Sequence, residues 1–398
     1  MPMNTSVKFF SSTMLNAPKV SGGKGPVISV LDACLVDGWG LTTVDSMSVS
    51  NNVVTANISA GHGFVKWQVI QVGGATPSSL NGEHRVTEVT TNTVKFEVSG
   101  VANGTATGTI TLKIAPLGWV KAFAGTNKAA YRIDTTKYPQ APTHLIRFDD
   151  NQSNYCTRLA GFEAMTSVDA GTGQFPTDGQ QSAGLWLLKN QDASTTAYRP
   201  WFVVGDGQIF YFGVASYTDS PTYGGPSWAA FGAYKSLNSE AFNFLVAGNY
   251  PNDSTPSPDQ SYTFCNAARG EYQFLARSYD GLSQSARFTS RSWPTSYSGS
   301  GEGSAPLAYP NGPNNGLYLC PLEIFETQNY GYHHRGTYPG VLMLPHRLNN
   351  RIVPDRQTYL LDSEITGFEG KVIGFFPTAY SGSERGVVAF DLTGPWEH

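Results

Sequence analysis

The chain has 398 residues, of which 40% are hydrophobic, 13% aromatic and only 14% charged, with a formal net charge of −4. That hydrophobic content excludes a disordered chain, and the charged share lies far below the quarter or so of an ordinary soluble domain. Its surface must therefore be covered by small polar residues or be hidden against partners. A weakly negative chain without a basic run gives no electrostatic footing for nucleic acid.

Residues 1–40 are expected to form an N-terminal arm and the start of a body. The arm opens on an extended VKFF and passes into the Pro/Gly-rich SSTMLNAPKVSGGKGPV. It has no apolar stretch ahead of a small-residue cleavage site, so no secretory leader is expected. Nowhere does the chain approach the roughly 18–20 apolar residues of a membrane span. Val27, Val30, Leu31, Cys34 and Leu35 fall at helical spacing, and Asp37-Gly38 stops the helix they predict.

Residues 41–114 change character. Runs rich in Val, Ile and Thr alternate with turn signals at Asn51-Asn52, Gly73-Gly74, Asn81-Gly82 and Asn103-Gly104. This is the pattern of a small antiparallel β-domain. Beyond it, Trp119, Phe123 and Tyr131 join Trp39 in resuming an interrupted core. The segment thus reads as a domain inserted in a surface loop.

Residues 115–398 read as a larger β-rich body. Strands at 144–150 and 158–165 are expected to pair, and 200–214 forms a hairpin across Asp206-Gly207. Further strands are expected at 242–247, 317–325, 341–344, 358–361, 372–376 and 387–391, and a short helix over 225–240. The stretches 252–261 and 296–316 read as mobile loops. The fold class is therefore mainly β, a β-sandwich-like body with an inserted small β-domain and few short helices.

No residue set points to catalysis. Cys34, Cys156, Cys265 and Cys320 lie too far apart for a compact zinc site and read as buried free thiols. The glycine-rich 169–179 lacks the GK[ST] ending of a phosphate loop and reads as a surface turn. Near 299–304 no rigid strand precedes the serines, so there is no nucleophile elbow. Asp32, Asp37, Asp149, Asp150, Asp169, Asp206 and Asp280 are candidates for a glycosidase pair, but Asp37, Asp206 and Asp280 precede Gly, which is turn chemistry. His333, His334 and His346 form the best metal candidate, yet neighbours on a strand face opposite ways. With Arg335 and the tyrosines around them they suit an interface. The Arg/aromatic stretches 286–294 and 345–359 likewise suit contacts between subunits. No catalytic, cofactor or metal residue is assigned, and an enzyme is not expected.

The runs SVSNNVVTANISAGHGF, VIQVGGATPSSLNGEHRVTEV and NTVKFEVSG resemble an immunoglobulin-like module of tailed-bacteriophage structural proteins. The phrases APKVSGGKGPVISVLDACLVDGWG, FEAMTSVDAGTGQFPT and RPWFVVGDGQIFYF are similar to those of virion proteins of tailed bacteriophages. The resemblance implies a structural component of the virion, in tail, baseplate or head decoration, assembled in the host cytoplasm. Its implied partners are identical subunits, as trimer or hexamer, and other virion proteins. The module would then project outward. An alternative is a receptor-binding fibre or spike recognising host surface glycan, with Trp67 as a stacking ring. A polysaccharide depolymerase is a more distant alternative.

Overall fold

In a computed structural model of the chain, the described residues are 2–181, 184–190, 195–215, 226–238, 243–248, 273–276, 286–291, 312–326, 333–344, 359–362, 365, 367–381 and 384–398. They are mainly β, arranged in three antiparallel sheets of thirteen, six and eight strands. No helix among them is long and apolar enough to cross a membrane.

The expected helix is present. It begins with Pro26 in its first turn, runs over Pro26–Leu31, and continues as a π-helical segment over Asp32–Asp37. The Gly38 amide closes it on the Ala33 carbonyl at 2.8 Å. That wider turn lets the consecutive Ala33, Cys34 and Leu35 all be buried. Gly38 has φ 68°, and a Cβ there would lie 2.1 Å from the Ile114 carbonyl oxygen, so only glycine fits.

The strands between residues 39 and 114 pair only with one another, in an eight-stranded sheet. Strands Ser46–Ser50 and Val53–Asn57 meet across Asn51 and Asn52, both left-handed, the two-residue turn their side chains tolerate. Met47, Val49, Val54, Ala56, Val94 and Phe96 alternate inward and are buried. A bulge between Val86 and Glu88 allows strand Gly82–Val89 to pair first with Val69–Gly73 and then with Thr93–Glu97.

This sheet does not project outward as expected; it is docked onto the N-terminal segment. The Arg85 guanidinium, 3% exposed, donates to the carbonyls of Asn4 at 2.8 Å, Trp67 at 2.7 Å and Val7 at 2.7 Å. Burial pulls its pKa down to about 10, with the Asp391 charge opposing. Lys8 reaches back to Glu83 at 2.9 Å and to the Pro116 carbonyl at 2.7 Å. One hydrophobic core runs without a break from these strands into the rest of the chain.

The VKFF segment becomes strand Lys8–Ser11, an edge of the largest sheet, paired with Trp201–Gly205 in the register Phe10↔Val203. The expected hairpin is formed by Trp201–Gly205 and Ile209–Ala215. Its second strand is covered on both faces. Phe210 meets Trp119 edge-on at 5.0 Å and Phe148 at 6.5 Å, on the side of the six-stranded sheet. Tyr211, pointing the other way, meets Phe390 at 5.1 Å. Phe390 in turn lies 5.7 Å from Trp228. Strands Val372–Ser381 and Glu384–Asp391 thus fold over the strands Trp201–Gly205, Ile209–Ala215 and Pro226–Ala233 of their own sheet, giving a layered β-body.

Double coverage explains one error of the sequence reading. The helix expected over 225–240 is instead strand Pro226–Ala233 followed by Lys235–Ser236. Trp228, Ala229, Ala230 and Phe231 are all buried, and an apolar run covered on both faces shows no period-two signal. The glycine-rich 169–179 is likewise no simple turn, since Ala170–Phe175 pairs along Cys156–Ser167. The paired strands expected at 144–150 and 158–165 are Leu145–Asp149 and Cys156–Ser167. The later strands are present, Phe244–Ala247, Cys320–Glu326, Tyr359–Asp362 and Glu384–Asp391 within a few residues of expectation, whereas His333–Met343 begins eight residues before the strand expected at 341–344 and Val372–Ser381 runs five residues past 376. The stretch 252–261 and most of 296–316 lie outside the described residues.

Candidate functional site

Of the singled-out acids, Asp149 and Asp169 come together on one lysine, and the others described lie apart. Asp32 bonds Lys121 at 2.8 Å and accepts from the Tyr131 hydroxyl at 2.8 Å. Lys128 holds Asp169 at 2.9 Å, with Asp149 at 3.6 Å. Asp150 turns inward and is fully buried against Lys189, and Asp280 lies outside the described residues. His333 and His334 are exposed at the start of their strand. His334 stacks on Phe325 at 4.9 Å, and His346 lies outside the described residues. Among the described residues no group of three His, Cys, Asp or Glu side chains is placed to hold a metal. Cys34 and Cys156 are buried and Cys320 is half-buried, while Cys265 lies outside the described residues. The half-buried Trp67 packs against the core with the Lys66 ammonium 4.2 Å from its ring centre.

What the structure does build is a cleft of about 530 Å³ beside the Asp206-Gly207 turn, which reaches it through Gln208, a size usual for small-ligand sites. One wall is the segment 137–142, which follows strand Lys128–Arg132. It is shaped by a turn in which the Lys137 and Tyr138 amides donate to the Asp134 carbonyl at 3.0 and 2.9 Å. The rest of the lining comes from Gln208, Ala233, Ser236 and Asn243, with the largely buried His398 as the floor. Tyr138 lies over the hairpin turn; a Cβ on Gly207 would meet its ring at 2.3 Å, so the glycine is required for this approach.

Asp206 organises the floor. Its Oδ1 accepts from the amides of Gln208 at 2.8 Å and Ile209 at 3.0 Å, and its carbonyl accepts from the Trp119 indole at 2.9 Å. Its Oδ2 receives His398 Nε2 at 2.7 Å, while His398 Nδ1 lies 3.1 Å from the Ala233 carbonyl. Both ring nitrogens face acceptors, an arrangement that favours the doubly protonated imidazolium. Burial disfavours that charge, but the Asp206 bond and charge and the Ala233 carbonyl outweigh it and raise the pKa. Burial, and then the Asp206 charge, also raise the Tyr138 phenol.

A raised folded-state pKa fixes the sign of the pH dependence. The His398 contribution is complete below the unfolded value of about 6.5 and is lost as pH rises through the higher folded value. Melting temperature should therefore fall across that window, and His398→Gln should flatten the fall. Parallel wild-type and variant melting profiles between about pH 5 and pH 9 would exclude this role for the imidazolium.

Sequence reasoning found Asp206-Gly207 as a turn, with Asp206 among the candidate acids, and nothing else of this cleft. Tyr138, Asn243 and His398 reach it from distant parts of the chain; His398 and Asp206 are 192 positions apart. No local signal marks such a meeting.

No protein-family model matches the chain, and no curated protein matches it. Among solved structures it is similar to Phage phi92 endosialidase, with 9% identity, 90% of this chain and 52% of that chain covered, and a TM-score of 0.16. The chain thus spans about half of that protein's length. A likeness of this degree carries no argument about function.

Proposed function

We propose that this is a particle protein of a tailed bacteriophage whose cleft at Asp206-Gly207 binds a hydroxyl-rich ligand, a saccharide of the host surface. The observation that carries the reading is the make-up of the cleft. Tyr138, Pro139 and Pro142 offer flat apolar surface beside Gln140, Gln208, Ser236 and Asn243. A sugar ring presents the matching combination, an apolar face rimmed by groups that both donate and accept. Amide and hydroxyl side chains serve both roles. The resemblance of the sequence to virion proteins supplies the setting.

The reading is binding rather than hydrolysis. Glycoside cleavage needs two carboxyl groups flanking the bond, and the one acid placed at the cleft among the described residues, Asp206, is engaged by His398 and two amides. Weak single-site affinity is multiplied when many copies share a particle. Sparse charge and the exposed Leu15, Leu41, Leu237 and Tyr198 favour contact with sister chains or other virion proteins. Within this reading, residues 41–114 are an inserted immunoglobulin-like module that braces the N-terminal arm.

Titrating the full chain with host surface polysaccharide fragments, followed by NMR or calorimetry, tests the proposal. Saturable binding is expected, weakened about five- to tenfold by Gln208→Ala, the loss of roughly one hydrogen bond. No new reducing ends should appear. Binding that ignores Gln208→Ala and Gln140→Ala, or none to any host glycan, overturns the assignment.

A further inference from the structure

We propose that Asp150 and Lys189 become joined by an intramolecular amide bond, formed by the folded chain itself. This goes beyond the ligand reading and is independent of it.

Both side chains are 0% exposed, and Lys189 Nζ lies 2.5 Å from Asp150 Oδ1. The two residues stand at the ends of strands Leu145–Asp149 and Leu185–Leu188, which both pair with Cys156–Ser167. Thr157, on the strand between them, donates its hydroxyl to Asp150 Oδ1 at 2.5 Å. The other carboxyl oxygen, Oδ2, accepts the backbone amides of Gly25 at 2.8 Å and Val27 at 3.1 Å. Lys189 Nζ also donates to the Gly23 carbonyl at 2.7 Å. A nucleophile, an acyl carbon, two donors on one carboxyl oxygen and a hydroxyl on the other are therefore assembled in one dry site.

In water a lysine and an aspartate remain charged and do not condense. Condensation needs the proton shared by the pair to sit on the carboxyl, and exclusion of water, which penalises a buried carboxylate, favours that. Burial raises the Asp150 pKa, with the Lys189 charge opposing. The neutral Nζ then attacks Cγ, and charge develops on Oδ2, where the Gly25 and Val27 amides stabilise it as an oxyanion hole does. One proton leaves Nζ and is relayed through the Thr157 hydroxyl to Oδ1, which already carries the acid proton. The Cγ–Oδ1 bond breaks and Oδ1 departs as water. Acid plus amine has become amide plus water, with no oxidant or co-reactant. The single hydrogen left on nitrogen keeps its bond to the Gly23 carbonyl. The product staples together the two strands on either side of Cys156–Ser167.

Intact-mass measurement of the full purified chain decides the matter. The wild type is expected to be lighter than its sequence by one water, and Lys189→Arg, which keeps the charge but cannot condense, to show its full sequence mass. Trypsin should fail to cut after Lys189, and the fragments 148–158 and 159–235, the latter uncut at Arg199-Pro200, should be recovered as one linked species. Thr157→Val, lacking the relay, should leave a larger unlinked fraction. A folded wild-type chain at full mass, with Lys189 cleaved normally, overturns the proposal and leaves a buried ion pair. Water lost with Lys189 still cleavable, as in a succinimide at an Asp-Gly site, overturns it too.

Discussion

Arg85→Ala should destabilise the protein by about 3–5 kcal/mol, the cost of leaving three buried acceptors without their charged donor. The variant leaves the carbonyls of Asn4, Val7 and Trp67 without the donor they share. Alanine cannot replace those bonds. Arg85→Lys should recover little, because one ammonium on a flexible stem cannot imitate a planar fork aimed at three oxygens. Urea denaturation followed by tryptophan fluorescence gives the midpoint shift. A shift equivalent to less than about 1 kcal/mol would mean that the eight-stranded sheet holds the N-terminal segment by apolar contact alone. The expectation is specific to this junction. Lys95, paired with Glu88 on the exposed side of the same sheet, should tolerate truncation at a cost of about 0–1 kcal/mol.

Arg85 also marks the limit of what the sequence could reveal. In NGEHRVTEV it stands in a strand of alternating polarity, where a charged residue reads as solvent-facing. Its burial depends on a segment 78 residues away in the chain. Features fixed by neighbours were legible: the Asn51-Asn52 turn, the Asp206-Gly207 hairpin, and the helical spacing from Val27 to Leu35. Each rests on backbone preferences within a few residues. The 225–240 strand was illegible for the opposite reason. Covered on both faces, Trp228 to Phe231 lost the alternation that distinguishes strand from helix. Asp149-Asp150 was legible as a pair of acids, but not that one would face Lys128 and the other be sealed against Lys189. The cleft was the least legible element, since its walls are assembled from sequence-distant loops whose proximity only the tertiary fold creates.

Asp206→Ala should cost about 3–4 kcal/mol, because it unpairs a buried cation as well as two turn amides. The Gln208 and Ile209 amides lose the oxygen that closes the hairpin, and His398 is left with the Ala233 carbonyl alone. Asp206→Asn separates these effects. Its amide oxygen still caps the turn, so about half the loss should return, but its neutral side chain no longer favours the imidazolium. The His398 ring, followed by NMR, should then titrate at lower pH, because burial remains while the charge that offset it is gone. A double-mutant cycle with His398→Ala completes the argument. Once His398 is absent, Asp206→Ala should cost about 1–2 kcal/mol less than it does alone. Strict additivity would show that the carboxylate serves only the turn. The cleft floor would then owe nothing to the paired charges, and a saccharide would meet Tyr138 and the amides over a passive base.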